Sequence, residues 1–306
     1  MRLLFVILIA SIAYAQTPVL PNIKSYAKTR DFTISTTSNE VYFTVQSPNE
    51  ELSGIFKTVK TNENWSTPVL ASFSGEFKDL EPYLSPDGLR LYFASNRPLS
   101  KAENKTKDFD IWVVTRKSST ESWSDPMNLG APINTKHNEF YPAISNSKNL
   151  YFTSDRPTAK GKDDIFMSEW DSGTYSRVTS LSSSINTEGY EFNAYIAPDE
   201  SVLIFSGYNR KDGLGSGDLY ISFKNTDGSW LEAKNMGDIV NSKAMDYCPF
   251  VNWESKRLYF TSRRSAVTPK RKLDTQEFLN EISSYSNGLS RIYSIEISTL
   301  LKNLKE

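Results

Sequence analysis

The chain has few of the residues on which most enzyme active sites depend. It contains one cysteine and one histidine, His137. A single cysteine excludes an internal disulfide, and a single histidine excludes metal sites with several histidine ligands. No Gly-x-Ser-x-Gly nucleophile elbow, Walker phosphate loop or Gly-x-Gly-x-x-Gly fingerprint is present. The sequence therefore carries no familiar catalytic signature.

An excess of charge of either sign is also absent. The 35 basic and 36 acidic residues leave a formal net charge of −1. Binding to nucleic acid or to an anionic membrane surface usually needs a basic excess or a basic face, so neither partner is expected. After the N-terminus, no stretch approaches the length of a membrane span, and no transmembrane segment is expected in the mature chain.

The N-terminus has the pattern of a cleavable export signal. Arg2 is followed by the apolar run LLFVILIA and then by Ala13-Tyr14-Ala15, an A-x-A cleavage site. We predict that residues 1–15 form a signal peptide cut after Ala15. No cysteine follows the run, which argues against a lipid anchor. The mature protein is expected to be periplasmic or secreted.

One short strand-like motif is repeated along the chain. Its copies contain EVYFTV (40–45), LRLYFASNR (89–97), NLYFTSDRP (149–157), VLIFSGYNR (202–210) and RLYFTSRR (257–264). The shared phenylalanines lie 50 to 59 residues apart. Repeats of this length built from short strands are typical of propeller blades. We predict an all-β, five-bladed β-propeller of four-stranded antiparallel blades, because a sixth blade would need a repeat that is not found.

The fifth repeat lacks its outer strand, and the N-terminus supplies a matching segment. Residues 17–20 (TPVL) repeat residues 67–70 letter for letter. Docking of this segment onto the last blade would close the ring and protect the open blade edges. The prediction is a single domain, residues 16–306. Its repeats are expected at about 31–75, 76–136, 137–188, 189–243 and 244–297, the last completed by 17–24.

The repeats resemble a known family. The pieces SPDG (85–88), LYFASNR (91–97) and DIW (110–112) are similar to the WD-like repeat of TolB-type β-propellers. EFYP (139–142) and PINT (132–135) resemble the version found in bacterial envelope proteins. The resemblance covers nearly all of residues 17–297 and implies the fold and an envelope location. In that family the motif is structural, and since no OmpA-like segment is present, peptidoglycan binding is not implied.

Charged residues recur at equivalent blade positions and are candidate site residues. Four carboxylates precede the inner strands, and four arginines follow the repeated phenylalanines: Asp79, Glu139, Glu191 and Asp246, with Arg97, Arg156, Arg210 and Arg264. They could form a charged channel mouth that binds a peptide terminus, an anionic group or a cation, for which calcium is the natural candidate. Alternatively they pair with one another and hold loops in place. Regular recurrence favours the structural alternative, since a binding site usually breaks symmetry.

Departures from symmetry are the better indicators of function. Cys248 falls at an inner-strand position where other repeats have Glu81, Tyr141 and Asn193, and it is expected to be a packed residue. The loops 98–109 and 263–290 are long. In the second, Asp274 is predicted to cap a short helix with an apolar stripe (Phe278, Leu279 and Ile282). The stripe is expected to cover the propeller, and the alternative is that this loop is a lid or a docking element.

These observations lead to an expected function. The protein is predicted to be an exported, monomeric, non-catalytic propeller without a cofactor. It would bind an envelope protein or peptide through the long loops, acting as a scaffold. The alternative is a carbohydrate-active enzyme of the glycoside hydrolase type, in which two channel-mouth carboxylates act across a glycosidic bond.

Overall fold

The computed structural model describes residues 17–35, 39–62, 64–100, 102, 105–268 and 272–305. The predicted signal peptide, residues 1–15, lies outside the described residues. In the described part of the chain, short strands form five antiparallel sheets, one for each repeat. The first strand, β1 (Thr17–Pro18), belongs to the sheet of the fifth repeat.

Each sheet is one blade, with its strands in order from the channel outward. Blade 1 contains β2 (Lys28–Ile34), β3 (Glu40–Gln46), β4 (Ser53–Thr61), β5 (Asn64–Trp65) and β6 (Val69–Leu70). Blade 2 contains β7 (Asp79–Leu84), β8 (Arg90–Ser95), β9 (Asp110–Thr115) and β10 (Met127–Asn128). Blade 3 contains β11 (Glu139–Ile144), β12 (Leu150–Ser154), β13 (Asp164–Asp171) and β14 (Thr174–Ser180). Blade 4 contains β15 (Tyr190–Ile196), β16 (Val202–Tyr208), β17 (Gly217–Phe223) and β18 (Lys234–Asn235). Blade 5 contains β19 (Asp246–Asn252), β20 (Arg257–Ser262) and β21 (Arg291–Glu296), and β1 lies at its outer edge.

The repeated phenylalanine forms the centre of each blade. All five copies are buried, with at most 1% of the residue exposed: Phe43, Phe93, Phe152, Phe205 and Phe260. In three blades the ring stacks on an aromatic residue of the next strand, as in the Phe152–Phe166 pair, whose ring centroids are 5.9 Å apart. Such cross-strand aromatic pairs stabilise a sheet beyond the area that they bury. The motif therefore marks the packed core of every blade.

The N-terminal segment closes the ring. β1 pairs antiparallel with β21, so that Thr17 lies opposite Ser294 and Pro18 opposite Tyr293. Just after this strand, Leu20 and Ile23 have no exposed surface. The predicted fold class is confirmed: an all-β propeller of five antiparallel blades, closed by the N-terminal strand. Four blades have four strands, and blade 1 has one additional two-residue strand because β5 and β6 both pair with β4.

Each inner strand is interrupted by a bulge. Each contains a register shift, at which one residue has a positive φ: Asp31, Glu81, Tyr141, Asn193 and Cys248, with φ between 45° and 61°. An extra residue in one strand bends it and breaks the period-two pattern. The part of each strand before this bulge therefore escapes a search for alternation.

Aromatic side chains close one end of the channel. Phe250 packs against Phe32, Tyr83 and Tyr195, with centroid distances of 6.1, 6.0 and 5.4 Å. These residues follow the bulges, at the end where the inner strands finish. The opposite end faces the loops that join blades and the loops between second and third strands.

In the described part of the chain, two α-helices and a short 3-10 helix (Pro21–Ile23) lie outside the blades. α1 (Thr275–Ile282) is capped by Asp274, whose carboxylate accepts from the Glu277 amide at 2.8 Å, as the sequence predicts. Its apolar stripe is 48–55% exposed, so it is not packed on the propeller as expected, and the alternative, a lid or a docking element, stays a prediction. α2 (Ser298–Lys305) packs Leu300 against the core. Neither α-helix is long and apolar enough to cross a membrane, and the described residues contain no other candidate.

Ring closure by the N-terminal segment can be tested with one substitution. We expect Leu20→Ala to reduce the free energy of unfolding by about 2–5 kcal/mol, the usual cost of removing a fully buried leucine side chain. Chemical denaturation measures this change. The matched control is Leu52→Ala, since Leu52 is 75% exposed, and its effect should stay within about 0.5 kcal/mol. Equal effects of the two substitutions would show that this segment does not hold the ring together.

Candidate functional site

The eight charged residues singled out by the repeats form four ion pairs, one in each of blades 2 to 5. The shortest N–O distances are 2.6 Å for Arg97–Asp79, 3.0 Å for Arg156–Glu139, 2.9 Å for Arg210–Glu191 and 2.6 Å for Arg264–Asp246. The four carboxylates have no exposed surface.

Blade 3 shows what each pair does. Glu139 also accepts from the backbone amide and hydroxyl of Thr135, at 2.9 and 2.8 Å, and from the Ser154 hydroxyl at 3.1 Å. The Arg156 guanidinium also donates to the carbonyl of Ile133 at 2.5 Å. The pair thus ties the connection between blades 2 and 3 to the second strand of blade 3. Because the same pair recurs at the same position in four blades, it is a structural contact of the fold.

Blade 1 departs from this pattern. Thr29 occupies the position of the buried carboxylates, and the next two residues are Arg30 and Asp31. Arg30 turns into the channel. Its Nε donates to Asp31 Oδ1 at 2.9 Å and its Nη2 to Glu81 Oε1 at 2.7 Å. One guanidinium therefore bridges two carboxylates from neighbouring blades.

The channel centre is built from the five bulge residues, which differ in chemistry. Glu81 Oε2 accepts from the Tyr141 amide at 2.8 Å, and Glu81 Oε1 accepts from Asn193 Nδ2 at 3.3 Å. The Glu81 amide donates to Asp31 Oδ2 at 3.1 Å, and Arg30 Nη2 reaches Cys248 Sγ at 3.4 Å. The same strand position thus places two acids, a phenol, an amide and a thiol around one axis.

Burial makes the Glu81 carboxyl an unusually weak acid. Desolvation raises the pKa of the Glu81 carboxyl to about 7; the Asp31 charge adds to this rise, and the Arg30 guanidinium opposes it. Burial also raises the pKa of the Cys248 thiol, which keeps it protonated and unreactive. Glu81 can therefore carry a proton near neutral pH, as a general acid must.

The residues that precede the bulge residues are mostly apolar or aromatic. They are Leu80, Phe140, Phe192 and Tyr247, and blade 1 has Arg30 at this position. The Arg30 guanidinium lies 5.2 Å from the Tyr247 ring centroid, and its side chain is 14% exposed, compared with 1% for Asp31 and 4% for Glu81. Arg30 is thus the most exposed member of the bridged group.

Sequence reasoning missed Asp31 and Arg30 and did not recognise Glu81 as a site residue. The signal was available in the alignment of repeats, where Glu81, Tyr141, Asn193 and Cys248 share a position but no residue type. A position with a purely structural role would be expected to carry the same type of residue in every blade.

A calcium site in the channel stays an untested prediction. Across the described ranges, no group of three or more His, Cys, Asp or Glu side chains could hold a metal ion.

Comparison with solved structures identifies the same fold in carbohydrate-active enzymes. An endo-arabinase from Bacteroides thetaiotaomicron is 14% identical, with a TM-score of 0.55 over 92% of this chain and 97% of that one. An α-L-arabinofuranosidase from Podospora anserina, in complex with cellotriose, is 10% identical, with a TM-score of 0.53 over 92% and 96%. A GH62 hydrolase in complex with xylotriose is 11% identical, with a TM-score of 0.54 over the same shares. No family model and no curated protein matches the chain.

These findings correct the predicted function. The three solved structures named above are an endo-arabinase, an α-L-arabinofuranosidase and a GH62 hydrolase, and they favour the alternative, a carbohydrate-active enzyme. The predictions of a non-catalytic scaffold and of no enzymatic activity are wrong. The resemblance to TolB-type repeats, the export and the monomeric state stay predictions.

The structural role of the ion pairs gives a stability prediction. Glu139→Gln should reduce the free energy of unfolding by about 3–5 kcal/mol, because it leaves Arg156 charged, buried and without its partner. The control is Glu121→Gln at an exposed carboxylate, expected to change stability by less than about 0.5 kcal/mol. Urea denaturation of both variants measures the difference. A Glu139→Gln protein as stable as the control would mean that the pair does not hold the blade connection.

Proposed function

We propose that the protein is a glycoside hydrolase whose reaction takes place at the mouth of the central channel. The observation that carries the proposal is the Asp31–Arg30–Glu81 group: two carboxylates of different environment at the axis of a propeller. Glycosidic bond hydrolysis typically needs two such carboxyl groups, one of which holds a proton. The solved structures named above share the fold, and they make arabinose- and xylose-containing oligosaccharides the first substrates to test.

The two carboxylates have separate roles in this proposal. Glu81 is the general acid, because burial keeps it protonated near neutral pH. It gives its proton to the glycosidic oxygen as the bond between that oxygen and the anomeric carbon breaks. Asp31 is the partner carboxylate, whose two oxygens accept from Arg30 and from the Glu81 amide. The two carboxyl groups bind one edge of the same guanidinium, so they lie close together, as in the retaining reaction. An Asp31 oxygen bonds to the anomeric carbon as the glycosidic bond breaks, and a water molecule that gives its proton to Glu81 then breaks this new bond and releases the sugar.

Arg30 controls access to this pair. Its Nη2 donates a hydrogen bond to Glu81 Oε1, the oxygen that a substrate would approach. Productive binding therefore moves the Arg30 side chain away from Glu81. That movement also removes the opposing positive charge and raises the pKa of Glu81 further, which favours the protonated acid. We infer that the enzyme acts outside the cytoplasm, on the strength of the predicted signal peptide.

The proposal predicts hydrolysis that depends on the channel carboxylates. We expect the protein to release reducing sugar from arabinan, arabinoxylan or xylan oligosaccharides. Glu81→Gln and Asp31→Asn should each lower kcat/KM by about 100-fold or more, the usual loss when an acid or base is removed. Glu121→Gln, at an exposed carboxylate outside the channel, is the control and should retain full activity.

Two results would contradict the proposal. One is the absence of hydrolysis across the whole panel by folded protein. The other is a Glu81→Gln variant that is as active as the unaltered protein.

The acidity of Glu81 predicts the pH profile of this reaction. A raised pKa means that the folded protein keeps the proton up to about pH 7 and loses it above that value. Activity should therefore fall tenfold for each pH unit on the alkaline side of about 7. Measurement of kcat/KM between pH 5 and 9 tests this expectation. Activity that stays constant up to pH 9 would exclude Glu81 as the acid.

A further inference from the structure

A concave site lies at the junction of blades 3 and 4, close to the central channel. It is a groove of about 350 Å³ lined by Asp163, Tyr190, Phe192 and Tyr208. Tyr190 and Tyr208 are 39% and 42% exposed, and their ring centroids are 5.8 Å apart at 84°. Two exposed aromatic rings set at right angles form a corner that can hold a flat, partly apolar ligand.

The backbone holds this corner rigidly. Tyr190 begins β15 and lies opposite Tyr208 at the end of β16. Asp163, from blade 3, forms a parallel bridge with Tyr190, and its carbonyl accepts from the Glu191 amide at 2.9 Å. A Cβ atom added at Gly161 would approach the Gly189 carbonyl oxygen to 2.3 Å, so the two blades meet closely here. The groove is thus built on paired strands.

The groove is continuous with the channel mouth. Phe192 lines the groove and also packs against the cluster of Tyr141, Tyr247 and Cys248 around the channel. The next residue, Asn193, hydrogen-bonds the catalytic candidate Glu81 at 3.3 Å. An oligosaccharide that is bound in the channel and extends outward over Phe192 would therefore continue directly into the groove.

The chemistry of the lining matches a sugar ring. The apolar C–H faces of a sugar pack on exposed aromatic rings, while Tyr hydroxyls offer hydrogen bonds at their edges. A carboxylate accepts hydrogen bonds from hydroxyl groups, and charge-assisted bonds of this kind are stronger than neutral ones. The half-buried carboxyl of Asp163 supplies such an acceptor. The volume is at the lower end of the range of about 300–1,000 Å³ seen for small-molecule sites, which suits one sugar unit.

We propose that the groove of Asp163, Tyr190, Phe192 and Tyr208 is a glycan subsite, which binds a sugar unit of the same chain whose glycosidic bond lies at the channel carboxylates. This inference rests on the proposed function. It makes the substrate an oligosaccharide or polysaccharide and excludes a simple monosaccharide glycoside as the best ligand.

Calorimetry with defined sugars tests the subsite. The full chain carrying Glu81→Gln, which should bind without hydrolysis, is titrated with mono- to pentasaccharides of the xylose and arabinose series. Affinity should rise with chain length until the groove is filled. Adding Tyr208→Ala should weaken the longer sugars by about tenfold, the loss of one aromatic contact, and leave the shortest ligands unchanged. Phe278→Ala on α1 is the matched control, since it removes an aromatic ring that is 55% exposed elsewhere.

The outcomes separate this inference from the proposed function. Weaker binding by the Tyr208→Ala variant together with no hydrolysis by the unaltered protein would support the subsite and overturn the hydrolase. Hydrolysis with equal affinity in the Tyr208→Ala and Phe278→Ala variants would overturn the subsite alone. Failure of every sugar to bind would also overturn the subsite. Unchanged melting temperatures exclude unfolding as the cause of weaker binding.

Discussion

The organisation of this propeller depends on the buried arginine–carboxylate pair that recurs in four of its blades. Each pair joins the segment entering a blade to the second strand of that blade, for example Glu139 with Arg156. A buried charge without its partner is costly, so these pairs fix the strand ends around the channel mouth. Blade 1 has Thr29 at this position, and its arginine turns inward to the channel. An arginine–carboxylate contact thus stabilises blades 2 to 5, and in blade 1 the same type of contact assembles the candidate site.

Much of the fold can be predicted from the sequence because its packing repeats. The Tyr-Phe motif predicts the blades, and the second TPVL segment predicts ring closure. Asp274 predicts the start of α1, since a capping box is a local device. The exposure of the α1 stripe could not be predicted, because it depends on where a long loop lies in space. α2 also escaped prediction.

The candidate site was harder to predict for a physical reason. Its residues lie at bulges, where one residue with positive φ interrupts the alternation that reveals a strand. The recurring charges made Asp79 and its equivalents candidate site residues. Recurrence, however, is expected of a structural ion pair that blades 2 to 5 share. Asp31 and Glu81 share a position across blades while their counterparts Tyr141, Asn193 and Cys248 carry no acid. In a fold built from repeats, a position at which the residue type differs from repeat to repeat is therefore a better indicator of function.

A crystal structure of the Glu81→Gln variant with a bound arabinose or xylose oligosaccharide tests the central claim most directly. The account predicts a glycosidic oxygen within hydrogen-bonding distance of the residue 81 side chain, with Asp31 on the other side of the bond and Arg30 moved from its bridging position. A sugar bound away from the channel, or an Arg30 side chain that still links both carboxylate positions beneath the bound sugar, would contradict it.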